Sequence, residues 1–293
     1  MSYAFLPERG LIELAGEDVR EFLQGLISND ARPLAEGKPV YAALLSPQGK
    51  FLHDFFLVPN RDSILVDCEK SRIADLLQRL KMYRLRSKVV IDLMPGAMRV
   101  AAIWGRESSG IKDWGMLRGY ADPRLPQLGW RVIGEARYIE QLCARYGMEQ
   151  ADAAAYDRMR IDIGVPDGSR DMIVDKSLLL EYGFEDLHGV DFAKGCYVGQ
   201  EVTARSKYRG QLKKHLYQLR STAPLPQSGT AITLDGAAVG ELRSHAGNAG
   251  LALMRVADVD KAGGMDFVCD GQVVKLALPS WVSVAPKALV IDE

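Results

Sequence analysis

Paired cysteines are missing from this chain. Its four cysteines, Cys68, Cys143, Cys196 and Cys269, include no C-x-x-C spacing, so neither a zinc knuckle nor a bound iron–sulfur cluster finds its ligand pattern. His53, His188, His215 and His245 are equally dispersed and no H-E-x-x-H occurs; no resident metal is expected. The loops G-x-G-x-x-G and G-x-x-x-x-G-K-[ST] are absent too, which removes most of the weight from dinucleotide and P-loop nucleotide binding. No stretch approaches the ~18 apolar residues of a membrane-spanning helix. A net charge of −1 argues against indiscriminate attraction to nucleic acid or anionic membrane. The first nine residues lack both the apolar core of a signal peptide and an Arg/Ser-rich transit pattern. A cytoplasmic location, reducing and without disulfides, is the default expectation.

What is present suffices for two folding units. The 293 residues exceed one typical domain of ~100–200, and 47% of them are apolar. Strand signals at 11–14, 40–46, 51–58, 63–67 and 88–93 are interrupted by helical periodicity at 17–28 and 71–83. This order, strand, helix, three strands, helix, strand, is a split β-α-β pattern with one strand added, and an α+β ferredoxin-like sandwich is its simplest solution. Further strands are expected at 98–104 and 130–133 and helices at 137–146 and 152–162, with residues 105–127 a loop or insertion. Beyond Gly210 short strands at 215–219, 230–234, 238–242, 250–256, 266–269 and 273–277 alternate with turns, the texture of a small β-barrel. The expected domains are residues 1–210 and 211–293.

Chemistry concentrates in Lys194-Gly195-Cys196-Tyr197-Val198-Gly199-Gln200-Glu201-Val202-Thr203-Ala204-Arg205. A thiol, two cations, a carboxylate and an amide in one segment make a poor core, because each loses hydration if buried unpartnered. Gly195 and Gly199 suggest unusual backbone angles or a close approach. Residues 202–208 read as a short helix in which Glu201 and Arg205 can pair. Cys196 then precedes a helix N-terminus and lies two residues from Lys194, both of which favour a thiolate. A buried, inert cysteine in a glycine turn is the competing reading. Residues 69–89 carry seven Lys/Arg against two acids, and 202–220 carry six and no acid. These are solvated faces or, if they converge, an attraction for a polyanion such as a polyglutamate tail or RNA.

Lys194-Gly195-Cys196-Tyr197-x-Gly199-Gln200-Glu201-x-x-x-Arg205 is similar throughout to the signature of the YgfZ proteins, bacterial folate-binding relatives of the glycine cleavage T-protein. Phe22-Leu23-Gln24-Gly25 with Asn29-Asp30, Leu45-Ser46-Pro47-Gln48-Gly49-Lys50, Arg160-x-x-x-Gly164-x-Pro166 and Tyr208-Arg209-Gly210 resemble the segments around it. The resemblance implies a T-protein-like aminomethyltransferase fold, with a folate-binding region in three parts around a central opening and a C-terminal barrel. It implies tetrahydrofolate as ligand, iron–sulfur proteins or their assembly factors as partners, and a role in cluster maintenance extending to tRNA methylthiolation, without a settled reaction.

On that reading Cys196 and Lys194 form the reactive pair, and Gly199, Gln200, Glu201 and Arg205 contribute to the cofactor site, Glu201 and Arg205 also fixing the loop. The T-protein's catalytic acid falls on Asp30, which is equally a helix-ending turn residue. Glu181 stands near the carboxylate that the T-protein directs at the pterin ring, although this chain reads Leu179-Leu180-Glu181 where Pro-x-Glu is usual. Arg160 either holds the folate glutamate or pairs with Asp157 or Asp162. Two further readings stand beside this one: a folate-dependent aminomethyltransferase, and a non-catalytic adaptor contacting folate or, weakly, tRNA.

Overall fold

A computed structural model describes residues 1–283 apart from 37, 106–110, 112, 210, 211 and 264, and excludes the side chains of 36 and 209. The expected domain border between 210 and 211 therefore lies outside the described residues, as does the Gly210 end of the Tyr208-Arg209-Gly210 match. The chain forms two compact units: Met1–Leu45, Leu52–Tyr156 and Leu187–Val198 make the first, and Ser46–Phe51, Asp157–Asp186 and Gly199–Glu293 the second.

The first unit holds two five-stranded sheets. After β1 (Ser2–Phe5), the elements β2 (Arg9–Ala15), α1 (Val19–Gln24), β3 (Val40–Leu45), β4 (Phe51–Asn60), β5 (Ser63–Glu69), α2 (Ile73–Arg84) and β6 (Val90–Leu93) follow the expected order. One sheet runs β3-β4-β5-β2-β6. Alternate residues Ile12, Leu14, Phe55, Leu57, Val66 and Ile91 share a core with Phe22, Leu23, Leu76 and Leu80 of the two helices, as a period of two meeting a period of 3.6 requires. The other sheet runs β10-β1-β7-β9-β8, where β7 is Met98–Trp104, β8 Arg118–Ala121, β9 Trp130–Glu135 and β10 Glu149–Gln150, with α3 (Ala136–Arg145) after β9. β7, β9 and α3 match expectation. β1, β8 and β10 do not, and β8 corrects the reading of 105–127 as loop. β8 and β10 have four and two residues, too few for any periodicity to register. Cys143 of α3 faces apolar neighbours, as expected.

Charged side chains lie buried in this unit. The Asp67 carboxylate on β5 accepts from Arg9 Nε (2.6 Å), Arg131 Nη1 (2.9 Å) and the Tyr120 hydroxyl (3.2 Å). Arg131 on β9 also reaches Asp122 (3.2 Å), which Arg124 grips through two nitrogens. Phe56 receives the guanidinium carbons of Arg131 and Arg124 at 4.1 and 4.8 Å from its ring centroid. Burial alone would raise the Asp122 pKa, but Arg124 and Arg131 hold the carboxyl below its ordinary value. Each carboxylate is thus paired and hydrogen-bonded, the condition under which buried charge is tolerated.

In the second unit α4 (Ala153–Ile163, entering it at Asp157) and α5 (Gly168–Asp171) precede a short 3-10 turn at Leu179–Tyr182 and α6 (Gln200–Arg209). β11 (Lys214–Ser221), β12 (Ala231–Leu234), β13 (Ala237–Ala246), β14 (Ala249–Arg255), β15 (Phe267–Cys269) and β16 (Gln272–Ala277) close a barrel in the order β11-β14-β13-β12-β15-β16. All six were expected; the helix α7 (Val256–Lys261) was not. Closure pairs every strand edge, and Leu219, Ile232, Leu242, Ala252 and Met254 fill the interior.

The Asp67 network yields a test. Arg131→Met leaves Asp67 and Asp122 short of a partner in a buried setting and is expected to destabilise the protein by about 3–5 kcal/mol. Urea unfolding followed by circular dichroism measures this; a loss below about 1 kcal/mol, the scale of an exposed ion pair, would refute the assignment.

Candidate functional site

A helix of six residues leaves its last carbonyls without intrahelical donors. At the end of α1 those acceptors meet the Cys196 loop. Lys194 Nζ donates to Gln24 O (2.7 Å) and Ile27 O (2.5 Å), and Val198 N donates to Gly25 O (3.3 Å). Gln24 answers with its side chain, Nε2 donating to Lys194 O at 3.0 Å while Oε1 accepts from Ala31 N. Further along, Ser28 Oγ donates to Gly189 O (2.6 Å), Asn29 Nδ2 to His188 O (2.6 Å), and Asp191 N to Ser28 O (3.0 Å). Residues 188–198 are therefore laced to residues 24–29 along their length.

The lysine is a clamp. It is 7% exposed and its ammonium lies 4.8 Å from the Tyr197 ring centroid. Burial pushes its pKa down to about 8, against the pull of Asp30 and Asp191. Its expected role as activator of Cys196 is replaced by this one, since its hydrogen bonds go to the carbonyl of Gln24, the last residue of α1, and to that of Ile27 just beyond it. Cys196 itself is exposed, whereas Cys68, Cys143 and Cys269 are buried. Burial pushes the thiols of Cys68 and Cys143 up to about 12 and raises that of Cys269. The inert-turn reading of Cys196 fails on exposure. A recess of about 370 Å³ opens against the lysine, lined by Arg20, Glu21, Gln24, Ala31, Arg32 and Ala35.

Asp30 fills the turn role. Its carboxylate accepts from Arg32 N (3.0 Å) and Arg32 Nε (2.7 Å) at the start of the 3-10 turn Arg32–Glu36. The bond from Arg32 holds its pKa below the ordinary value.

The rest of the motif lies in the second unit. α6 begins at Gln200, two residues earlier than periodicity suggests. Gly195 and Gly199 have φ of 98° and 80°, the left-handed region that side chains resist. The turn carrying Gly49 packs on the start of α6: a Cβ there would stand 2.8 Å from both Gly199 O and Val202 Cβ. Glu201 and Arg205 are exposed on α6 and no ion pair joins them. Solvation of both heads competes with a contact of such small worth, so the expected loop-fixing pair is corrected. Lys207 pairs with Glu185, and Arg220 with Asp162 at 2.6 Å, which neutralises part of the second basic run.

Arg160 is 3% exposed and its nitrogens are engaged: Nε with Asp157 (2.7 Å), Nη1 with Asp171 (2.9 Å) and Val165 O, Nη2 with Ser244 Oγ (2.9 Å). Asp157 is thus its partner, and Asp162 is not; Asp162 receives Arg158 instead. As a folate anchor Arg160 is corrected to a strut between α4, α5 and β13. Glu181 is half-buried; burial raises its pKa, while Lys214, Lys50 and Lys213 oppose the rise.

Motif reasoning did not assign roles to Gln24, Ser28 and Asn29. The signal was available: Gln24, Ser28 and Asn29 are polar side chains set among the apolar Phe22, Leu23, Leu26 and Ile27, a pattern that asks for partners elsewhere. Among the described residues no three His, Cys, Asp or Glu gather as a metal site, and no helix is long and apolar enough to cross a membrane.

Comparison with known proteins extends this geometry. Residues 213–284 match the family described as the C-terminal β-barrel domain of CAF17. The mitochondrial iron–sulfur cluster assembly factor IBA57 of Homo sapiens is 34% identical over 274 residues, spanning 85% of this chain and 76% of that protein. The mitochondrial IBA57 homolog of Phaeosphaeria nodorum is 32% identical over 320 residues, spanning 92% and 77%. The crystal structure of glycine cleavage system aminomethyltransferase T from Bartonella henselae superposes with a TM-score of 0.78 over 99% of this chain and 88% of that one, at 14% identity. The chain therefore has the expected aminomethyltransferase-like fold with its closed barrel. The expectation of a cytoplasmic location is overturned, because these relatives are named as mitochondrial.

Two outcomes are expected. Alkylation of the native protein should modify Cys196 first, with Cys68, Cys143 and Cys269 labelled only on unfolding; peptide mass spectrometry reads this, and early labelling of a buried thiol would contradict it. Lys194→Met should cost about 1–3 kcal/mol by stranding two carbonyls. Because the folded chain releases the Lys194 proton near pH 8 and the unfolded chain near 10.5, the folded state binds fewer protons in that window and its stability rises with pH. The stability lead of wild type over the variant should therefore grow from pH 8 to 10.5; a flat difference would remove the buried ammonium from the account.

Proposed function

We propose that this chain, which belongs to the IBA57 family of iron–sulfur cluster assembly factors, supports the assembly of iron–sulfur proteins by presenting the Cys196 sulfur as a ligand to iron in transit. The observation that carries this reading is the contrast among the four thiols: three are buried, and the exposed one sits on the loop capping α1. A thiolate ligand can take up and release cluster iron by ligand exchange, with no net electron transfer, and no second cysteine is then needed on this chain. Iron or a cluster is cargo in this scheme.

Tetrahydrofolate is the small ligand of the proposal, and Glu181 is the residue that fits it. A half-buried carboxylate can accept paired hydrogen bonds from the amino and ring N–H groups of a pterin, and Lys50, Lys213 and Lys214 act electrostatically on the same carboxylate, a setting suited to glutamate charges. Gly199, Gln200, Glu201 and Arg205 remain with Glu181 in the candidate folate set, and Arg160 leaves it. The client proteins include, on this reading, a cluster-dependent tRNA methylthiolation enzyme. The aminomethyltransferase-like fold by itself assigns no reaction.

Complementation tests the proposal. In cells lacking the family member, wild type and Asp30→Asn should restore a four-iron enzyme and cluster-dependent tRNA methylthiolation, whereas Cys196→Ala should restore neither although it folds normally. Full rescue by Cys196→Ala would end the thiol reading. Titrating purified protein with tetrahydrofolate, followed by tryptophan fluorescence, should show binding that Glu181→Gln weakens; equal affinity in the variant would detach folate from Glu181.

A further inference from the structure

We propose that the outer edge of β6, with the groove beside it, is a docking site for an extended acidic segment of a partner protein, which adds to the sheet as a further strand. β6 is the terminal strand in the order β3-β4-β5-β2-β6. It pairs with β2 through Asp92 opposite Glu13 and Val90 opposite Ala15, and Met94 N donates to Leu11 O at 3.0 Å. Strand backbones alternate, so the N–H and C=O groups of Ile91 and Leu93 point away from β2. A four-residue strand exposes little edge, yet the apolar character around it invites pairing. Val90 and Leu93 of β6 are 55% and 57% exposed.

A groove of about 650 Å³ begins where this edge ends. Leu93, Met94, Leu11, Phe5, Met98 and Ile73 give it apolar walls, Arg9, Lys70 and Arg99 give it charge, and no carboxylate lines it. Asp67 occupies Arg9. Lys70 and Arg99 are exposed; among the described residues Lys70 has no ion pair, and Arg99 donates to the backbone oxygens of Gly96 and Met98. Two unneutralised cations beside apolar walls and a free strand edge select the occupant. Main-chain bonds to Ile91 and Leu93 supply affinity, alternate apolar side chains enter the groove, and acidic ones meet Lys70 and Arg99. A nucleic acid would match the charge but neither the edge nor the walls. A second copy of this chain, paired edge to edge, would bring the same cations together. The site lies apart from Cys196 in the sequence and goes beyond the proposed function, serving to hold a partner and not to handle iron or sulfur.

The test uses the full chain and two fluorescein-labelled peptides, one alternating valine and glutamate, the other valine and lysine. Fluorescence anisotropy should show binding of the glutamate peptide, weakening with salt, and none of the lysine peptide. Hydrogen exchange at the Ile91 and Leu93 amides should slow on binding. Leu93→Pro removes an outward N–H without touching the β2 ladder, and Lys70→Glu with Arg99→Glu reverses the charge; each should weaken binding about tenfold or more. Circular dichroism melting confirms that both variants are folded, and the charge variant stands alone if the proline variant is not. Equal binding of the two peptides, indifference to the charge variant, or octanoate binding in place of the peptide would overturn the proposal. So would concentration-dependent dimerisation that Leu93→Pro abolishes, which would make a second copy the occupant.

Discussion

The orphaned carbonyls at the end of α1 are the constraint around which the Cys196 loop is arranged. Six helical residues cannot satisfy all of their own last acceptors. Lys194 and Val198 do so, from a loop some 170 residues further along. Lysine suits the position twice over: its ammonium carries several donors, and a cation is favoured by the negative end of a helix dipole. The burial that makes the clamp tight also opposes the charge that makes it work, which is why the group titrates near 8.

This constraint explains why one signature contains residues of unlike chemistry. Lys194 and Tyr197 anchor, with the ammonium set against the ring. Gly195 takes a backbone angle that few side chains allow, between the anchor and the thiol. Cys196 is left pointing outward, with its neighbours doing the holding. From Gly199 onward the same run of sequence serves a different purpose, the tight start of α6 against the Gly49 turn. The signature is thus two devices joined by one peptide bond, one in each compact unit.

Much of the fold was legible because burial leaves periodicity. The sheet of β2 to β6 reads directly from alternating Ile12, Leu14 and Val66 set against helical Leu76 and Leu80, and the barrel reads from six short runs separated by turns. The second sheet was half hidden, since β1 and β10 gain their place from strands distant in sequence and β8 is only four residues long. At the site, Cys196 and the glycines were legible as chemistry and as backbone. The turn role of Asp30 and the Asp157 partner of Arg160 were among the alternatives open from local spacing, whereas the partners of Lys194 and the Asp171 and Ser244 contacts of Arg160 were not. These long-range contacts depend on which backbone oxygen or side chain a long side chain meets after folding, and spacing along the chain carries no record of that.

Satisfaction of buried polar groups is what separates scaffold from site here. Arg160 has Asp157, Asp171, Ser244 and a carbonyl; Asp30 has Arg32; Lys194 has two carbonyls. Reassigning any of them to a ligand would strand a partner at a cost comparable to the binding it gained. The Cys196 thiol carries no such obligation, and Glu181 sits half-buried with its charge opposed by burial and favoured by three lysines. In this aminomethyltransferase-like fold Arg160, Asp30 and Lys194 are committed to partners within the chain, and a ligand has to be met by groups that the architecture does not already use.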